Sequence, residues 1–336
     1  MNIAIVLLNW NGEKLLRRFL PTLVTNSLKA KIYVIDNGSS DNSVKYIKNN
    51  FQNIKCIVLK KNYGFAEGYN LGLKNINADL FCLINSDIEV TKNWLEPIIR
   101  LFKSDTDISI AQPKILNYNK KNYFEYSGAA GGYIDSYGYA FCRGRIFSTL
   151  ERDQNQYNDK KRIFWASGAC IFIRSKLWKN LNGFDKELFA HFEEIDFCWR
   201  AFNRGHKNYY IPNSKVFHIG AASLKVSYFK WYLNFRNSLI VMLKNLPEKD
   251  LFKILATRLF LDIIAALRFL FKGKLKIFLA ILKSHIYFYK NYKKHYKKRE
   301  NKITENQYWK VRSIVWQYFI KKNKIFSSLS QYSNNI

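Results

Sequence analysis

Glu193, Glu194 and Asp196 crowd into HFEEIDFCWR (191–200), in a chain that carries 55 Lys plus Arg against 25 Asp plus Glu. Neighbouring carboxylates of this kind suit general-base work, in which one of them takes the proton of an attacking hydroxyl and contributes about 10²–10⁴-fold in rate. Crowding raises carboxyl pKa values and strengthens a base, while a nearby cation pulls the other way. The plainer reading is a solvated helix end. Asp196 stands one helical turn before Arg200, so an ion pair with that arginine is the expectation for it.

A second set of polar residues falls where apolar runs stop. In DNGSS (36–40), Asp36 is suited to accept hydrogen bonds from a nucleobase edge, and Gly38 lets backbone close on a nucleotide; an ordinary turn with a helix cap is the alternative. In NSD (85–87), Asp87 reads either as a cap or as a ligand for Mg²⁺ or Mn²⁺, hard ions that link a carboxylate to diphosphate oxygens, with Asn85 a weaker oxygen beside it. KNYGFAEG (61–68) sets Asn62 and Gly64 at a strand-to-helix turn suited to a sugar or phosphate, without the Gly-Lys-Ser/Thr ending of a P-loop. His218 follows Val-Phe and, taken alone, is a packing residue.

The elements that must position these groups alternate. Continuous apolar runs at 3–9, 31–36, 54–59 and 80–85 read as buried parallel strands, and 13–23 has helical spacing. Asp41 and Thr91 read as helix caps. Strand and helix alternation predicts βαβ units and a mostly parallel sheet, with ligands beyond the carboxyl ends of the strands at Asn9, Asp36 and Asn85 to Asp87. Between 117 and 160 glycines and tyrosines break the rhythm, which predicts loops or a hairpin, and FWASGACIFIR (164–174) predicts a further strand. Trp165, Ser167 and Gly168 within it suit the lining of a sugar pocket.

Five scattered cysteines with no CxxC pair predict buried thiols in a reducing compartment, and MNIAIVLLNWNG predicts a first strand rather than a leader, hence a cytoplasmic chain.

Taken together, NWNG, VIDNGSSDNS, KNYGFAEGYNLGL, LINSDIEV, ASGACIFIR, GFDKELFAHFEEIDFCWR and FHIGAAS resemble, in order, the motifs of a family 2 glycosyltransferase of the rhamnosyltransferase-like branch that builds bacterial surface polysaccharides. The resemblance spans about residues 2 to 240. It implies a GT-A fold, a nucleotide-diphosphate sugar donor such as dTDP-rhamnose, a divalent cation and inversion at the anomeric carbon. It implies that Asp36 holds the base, that Asn9 and Gly12 lie against the nucleoside, and that Asp87 and His218 contact Mg²⁺ or Mn²⁺. Similar enzymes read Glu-Asp where this chain reads Glu193-Glu194, so the implied base is Glu194, with Glu193 the alternative. His191 is expected to pack.

Charge divides the chain. Residues 1–224 carry 31 basic and 20 acidic residues, and 225–336 carry 24 and 5. The expected organisation is a catalytic domain over 1–224, with a nucleotide-sugar half at 1–112 and an acceptor side at 113–224, followed by a basic helical extension over 225–336. In KILATRLFLDIIAALRFLFK (253–272), Lys253, Arg258, Asp262, Arg268 and Lys272 share one half of the helical wheel and Leu255, Leu259, Ile263, Ala266, Leu267 and Leu270 the other. Charges recur too often for a spanning helix. Either a packed pair of helices with a solvated face or contact with an anionic membrane surface through 251–302 accounts for it; the latter suits a lipid-linked glycan acceptor and places the protein on the inner face of the cell membrane. A nucleotidyltransferase and a non-catalytic nucleic-acid-binding protein are the competing readings. The first calls for phosphate-activating cations beside the first strand, where only Lys14, Arg17 and Arg18 follow; the second lacks a recognisable module.

Overall fold

Strand β1 (Ile3–Asn9) is apolar along its whole length because both of its faces are covered. Ile3, Ile5 and Leu7 pack with Leu16, Leu20 and Leu23 of α1 (Glu13–Thr25), whereas Ala4 and Val6 face Tyr69 and Leu73 of α3 (Gly64–Leu73). The same alternation divides β4 (Leu80–Asn85), with Phe81 and Leu83 on one side and Leu80, Cys82 and Ile84 on the other. A computed structural model describes residues 1–220, 228–300 and 307–329 of this layered α/β arrangement.

The remaining elements are β2 (Lys31–Asp36), α2 (Ser43–Asn50), β3 (Lys55–Val58), β5 (Ile88–Val90), α4 (Leu95–Ser104), β6 (Ile108–Asn117), β7 (Gly132–Ile134), β8 (Ala140–Cys142), β9 (Arg145–Ile146), β10 (Thr149–Leu150), β11 (Lys161–Ile163), β12 (Cys170–Arg174), α5 (Ser175–Asn180), α6 (Glu193–Asn203), β13 (Lys207–His218), α7 (Tyr228–Asn245), α8 (Glu248–Phe271), α9 (Leu275–Lys290) and α10 (Tyr292–Tyr296). The large sheet runs β11-β13-β6-β12-β4-β1-β2-β3, with β5 beside β13. Strands β3, β2, β1 and β4 are parallel, and β12 enters antiparallel between β4 and β6. The chain leaves β1 toward β2 and β3, then returns to place β4 on the other side of β1. A crevice opens at such a reversal, beyond the carboxyl ends of the strands. Asn9 stands opposite Asp36 there, and Leu8 opposite Asn85.

Four strands escaped the sequence reading for identifiable reasons, β11 among them because it is a three-residue strand at the edge of the sheet. In β6, Gln112 and Lys114 interrupt the apolar pattern yet are buried, Gln112 bonded to Gly128 and Ser167 and Lys114 paired with Asp153. In β13, Pro212 falls at a register shift between Ile211 and Lys215, where a missing N–H is tolerated. β5 is only three residues long. The Gly/Tyr-rich segment forms a separate antiparallel sheet, β10-β9-β8-β7. Only Cys170–Arg174 of the predicted 164–174 strand forms a strand; residues 164–169 are a loop in which Trp165 makes an isolated bridge to Gly132.

Two caps also differ. Thr91 does not begin a helix: its hydroxyl donates to the Lys215 carbonyl at 2.8 Å, and α4 starts at Leu95. The N-cap of α2 is Asn42 rather than Asp41; Asp41 precedes it, and its two oxygens accept from Ser43 N (3.0 Å) and Glu13 N (2.9 Å), tying the start of α2 to the start of α1. All five cysteines are free thiols, four of them buried.

The extension is built into the rest. Lys244 of α7 pairs with Asp185 and Asp196 at 2.8 Å each, and Lys298 pairs with Asp185 at 2.8 Å. Part of the basic run after α9 therefore neutralises an acidic cluster instead of facing solvent. In α8 the charged residues Arg258 and Asp262 are turned inward, 3% and 0% exposed, contrary to the expected solvated polar face. No described helix is long and apolar enough to cross a membrane.

Candidate active site

The loops after β1, β2 and β3 are bonded to one another. Asn9 Nδ2 donates to Asp36 Oδ1 at 3.0 Å and to Ser39 Oγ at 3.2 Å, while Asp36 Oδ2 accepts from Ser39 N at 3.0 Å. Asp36 is 1% exposed, so a base would meet it only through the remaining lone pairs of its carboxylate. Asn9 Oδ1 is buried without a partner among the described residues. A side chain at Gly12 would strike that oxygen at 2.4 Å. Asn62 is committed locally: its Oδ1 accepts from Gly64 N (2.8 Å) and Asn37 Nδ2 (3.1 Å).

Two glycines here are dictated by geometry. Gly38 has φ +73°, and a Cβ on it would lie 2.5 Å from the Lys61 backbone, so only glycine lets the two loops touch. Gly64 has φ +81°, and a Cβ there would enter the Phe189 ring at 2.4 Å. The N–H groups of Phe65 and Ala66 donate to the Phe189 carbonyl at 2.7 and 3.1 Å. The KNYG turn is thereby fixed to the loop that leads into the acidic segment.

That loop is strained. Phe189, His191 and Phe192 have φ of 63°, 69° and 70°, backbone angles that non-glycine residues adopt at a cost of about 1–3 kcal/mol each and that cluster at functional sites. Asn237 of α7 holds them in place. Its Nδ2 donates to the carbonyls of Leu188 (2.9 Å), Ala190 (3.0 Å) and His191 (2.7 Å), and Arg236 Nη2 donates to those of Glu187 (3.0 Å) and Leu188 (3.2 Å). α7 thus sets the direction of α6, which begins at Glu193. Sequence reasoning missed Arg236 and Asn237, because α7 mixes polar and apolar residues and no periodicity sets these two apart. Replacing Asn237 with Ala takes the donor from the Ala190 and His191 carbonyls, at about 1–3 kcal/mol for a buried group left unmade, and releases the loop. The Asn237→Ala protein is expected to melt several degrees lower and to lose at least about tenfold in kcat, with the donor KM within about twofold. A kcat equal to that of the unaltered protein would disconnect α7 from the chemistry.

Glu194 lies against Gly168, whose Cβ position is 3.7 Å from the Glu194 Cδ and from the Phe65 ring. These are ordinary contacts, so Gly168 is not sterically required. Burial pushes the Glu194 carboxyl up to about 7, although backbone N–H groups, Gly168 among them, favour its charge. Glu193 is 5% exposed; burial, then the Glu194 charge, raises it well above the carboxylate range. One oxygen of each, Glu193 Oε2 and Glu194 Oε2, is buried without a partner among the described residues. Asp196 differs from both. Arg200 Nε (2.8 Å), Lys244 Nζ (2.8 Å) and Asn245 Nδ2 (3.0 Å) occupy its two oxygens, so its carboxylate is spent anchoring α6 and is withdrawn from the catalytic candidates. His191 Nε2 has no partner among the described residues, and burial followed by the Lys230 charge lowers its pKa to about 4.

At the far side of the crevice His218 Nε2 lies 3.0 Å from Asp87 Oδ1 and 3.4 Å from Asn85 Nδ2, and His218 Nδ1 lies 3.1 Å from Glu125 Oε2. Burial opposes charge on the imidazole, but Glu125 and Asp87 outweigh it and raise its pKa to about 10. Glu125, 2% exposed, was missed, since it sits in the patternless Gly/Tyr-rich insertion. Its carboxylate lies behind the imidazole as second partners do behind metal-binding histidines. The rest of the FHIGAAS motif, residues 221–223, falls outside the described residues.

The two sides are joined. Asn85 N donates to the Ala169 carbonyl at 2.9 Å, next to the Gly168 that touches Glu194. Asp36, Asp87, Glu194 and His218 therefore line one contiguous region through Asn9, Asn85 and Gly168. Among the described residues no group of three or more His, Cys, Asp or Glu forms a closed metal cage. The Asp87–His218 pair is a partial set of oxygen and nitrogen donors, which suits an ion that completes its shell with phosphate and water.

Residues 4–181 match the family model described as Glycosyl transferase family 2. The chain belongs to that family. This family 2 chain is 24% identical over 204 residues to the low-salt glycan biosynthesis hexosyltransferase Agl10 of Haloferax volcanii, an alignment covering 60% of this chain and 61% of that protein. It is 20% identical over 237 residues to the N-acetylglucosaminyl-diphospho-decaprenol L-rhamnosyltransferase of Mycobacterium tuberculosis, covering 66% and 77%. Its fold resembles the crystal structure of GalNAc-T7 with UDP, GalNAc and Mn²⁺, at a TM-score of 0.59 and 18% identity over 74% of this chain and 48% of that one. The expected GT-A architecture is present, and the nucleotidyltransferase and nucleic-acid-binding readings are not favoured.

Proposed function

We propose that this chain is an inverting glycosyltransferase that moves a sugar, with rhamnose from dTDP-rhamnose the leading candidate, from a nucleotide-diphosphate donor to a lipid-linked glycan. The observation that carries the reading is the placement of Glu194 against Gly168, one strand end away from the Asp87–His218 pair. A base on one side and a cation-binding pair on the other match in-line displacement of a diphosphate by a hydroxyl. In this reading Glu194 accepts the proton of the acceptor hydroxyl as it attacks the anomeric carbon, the C–O bond to the diphosphate breaks, and that diphosphate departs on the opposite face. Asn9, Gly12, Asp36 and Gly38 hold the nucleoside; Asn62 and Gly64 shape the turn beside it.

Asp87 and His218, with Asn85 adjacent, would hold Mg²⁺ or Mn²⁺, which as a Lewis acid neutralises charge on the leaving diphosphate. The GalNAc-T7 structure contains Mn²⁺, and the mycobacterial relative is named for a diphospho-decaprenol acceptor; both support the reading. The enzyme works peripherally at the inner face of the cell membrane, where nucleotide sugars and a lipid-held acceptor meet, with contact through 251–302. The test is a panel of nucleotide sugars, with and without Mn²⁺ and a polyprenyl-diphosphate glycan, followed by mass spectrometry. The expected result is metal-dependent glycan extension with one donor; consumption of none overturns the proposal.

A further inference from the structure

The helices α8 and α9 turn a network of polar groups inward and leave a stripe of apolar side chains exposed. Arg258 Nε lies 3.0 Å from Asp262 Oδ1, His285 Nε2 of α9 lies 3.1 Å from Asp262 Oδ2, and the Tyr139 hydroxyl donates to Asp262 at 2.9 Å. This network faces the protein. Facing outward are Phe260 (62% exposed), Ile264 (49%) and Phe271 (85%) on α8, and Leu275 (53%), Leu279 (43%) and Ile286 (47%) on α9. A stripe of this extent left bare in water marks a surface that something else covers.

The flanking charge says what covers it. Along α9 the exposed apolar positions 275, 279, 282 and 286 advance by alternate steps of four and three, one helical stripe, and Lys276, Lys283 and Lys290 run beside it at intervals of seven. Lys272 and Lys274 sit at the turn between the helices, and residues 225–336 hold 24 basic against 5 acidic residues. An apolar ridge bordered by lysines complements the acyl boundary and phosphate level of an anionic leaflet. Neither helix can cross a membrane, so the fit is to its surface.

The same helices reach the candidate base. Trp231 of α7 packs edge-on against Phe269 of α8, and Ala280 and Tyr287 of α9 cluster with Tyr232, Phe189 and Ala190. The anchor and the loop before Glu193 thus share one small core.

We infer that α8 and α9 form a monotopic membrane anchor that sinks an apolar ridge into an anionic leaflet, with its lysines at the phosphates, and holds the Glu193–Glu194 loop beside a lipid-held acceptor. Apolar insertion supplies most of the binding, and charge adds to it. The inference rests on the reading that the acceptor is lipid-linked, so vesicle binding and sugar transfer are measured separately and either can fail alone.

The experiment uses the full chain with vesicles of phosphatidylcholine alone or mixed with phosphatidylglycerol, in co-sedimentation at low and high salt. Changing Phe260, Ile264 and Phe271 together to Ser is expected to weaken binding at least tenfold to both vesicle types at either salt, leaving the melting temperature and donor hydrolysis unchanged. Changing Lys272, Lys274 and Lys276 to Gln should weaken binding only to anionic vesicles at low salt. Unchanged sedimentation of the serine variant overturns the anchor. So does a lipid-free dimer in analytical ultracentrifugation that the serine changes convert to monomer, which would assign the ridge to a second copy of the chain.

Discussion

Glu194→Gln is expected to lower kcat by about 10²–10⁴-fold, the usual contribution of a positioned general base, and to leave donor affinity within a few-fold. The amide keeps the shape and hydrogen-bonding reach of the side chain but takes no proton. Because the folded protein holds this carboxyl near 7, and only its charged form can act, kcat/KM in the unaltered protein should rise with pH through about 7 and then level off. Glu193→Gln separates the two candidates. Burial and its neighbour keep Glu193 protonated well above the carboxylate range, and an amide closely mimics a protonated carboxyl, so transfer should stay within a few-fold. Full turnover by Glu194→Gln with loss in Glu193→Gln would reverse the assignment. The same pair bears on stability. Both carboxyls have folded pKa values raised above their unfolded ones, so the native state is favoured below about pH 4.5 and loses that contribution as pH rises through about 7.

Asp87→Asn is expected to cut transfer by at least about 10²-fold, since on the proposed reading it removes the charged member of a two-residue donor set for the cation at the leaving diphosphate. Mn²⁺ binding to the donor-free protein, followed by calorimetry or electron paramagnetic resonance, should weaken in parallel. That readout separates a ligand from a residue that only shapes the crevice. Glu125→Gln should weaken Mn²⁺ binding by about 10–100-fold, as loss of a histidine's outer partner does elsewhere, while leaving nucleotide affinity unchanged. Retention of both Mn²⁺ binding and transfer by Asp87→Asn would move the cation to other residues.

The two substitutions probe opposite sides of the crevice, and the structure ties those sides together through few contacts. Asn85 and Ala169 share a backbone hydrogen bond of 2.9 Å, and Gly168 bridges from there to Glu194. The Asn85–Ala169 link is main chain at the end of β4, whereas Glu194 meets Gly168 through its side-chain carbons, so the spacing between the two sides depends on the 164–169 loop as well as on strand pairing.

Local patterning alone carried a good deal of this. The apolar runs of β1, β2, β3 and β4 are continuous because parallel strands are covered on both faces, and their ends at Asn9, Asp36 and Asn85 mark the crevice. The Asp196–Arg200 pair followed from helical spacing. Contacts between residues distant in sequence were beyond that reach. Glu125 meets His218 across the sheet, Asn237 grips carbonyls near residue 190, and no periodicity records either encounter. Nor did the helical wheel of 253–272 reveal which half turns inward. Tyr139 and His285 supply partners for the inward-turned Arg258 and Asp262, while the apolar half is divided, with Leu255 and Ala266 buried and Ile263, Leu267 and Leu270 exposed; a buried charge is stable only where other groups complete its bonds.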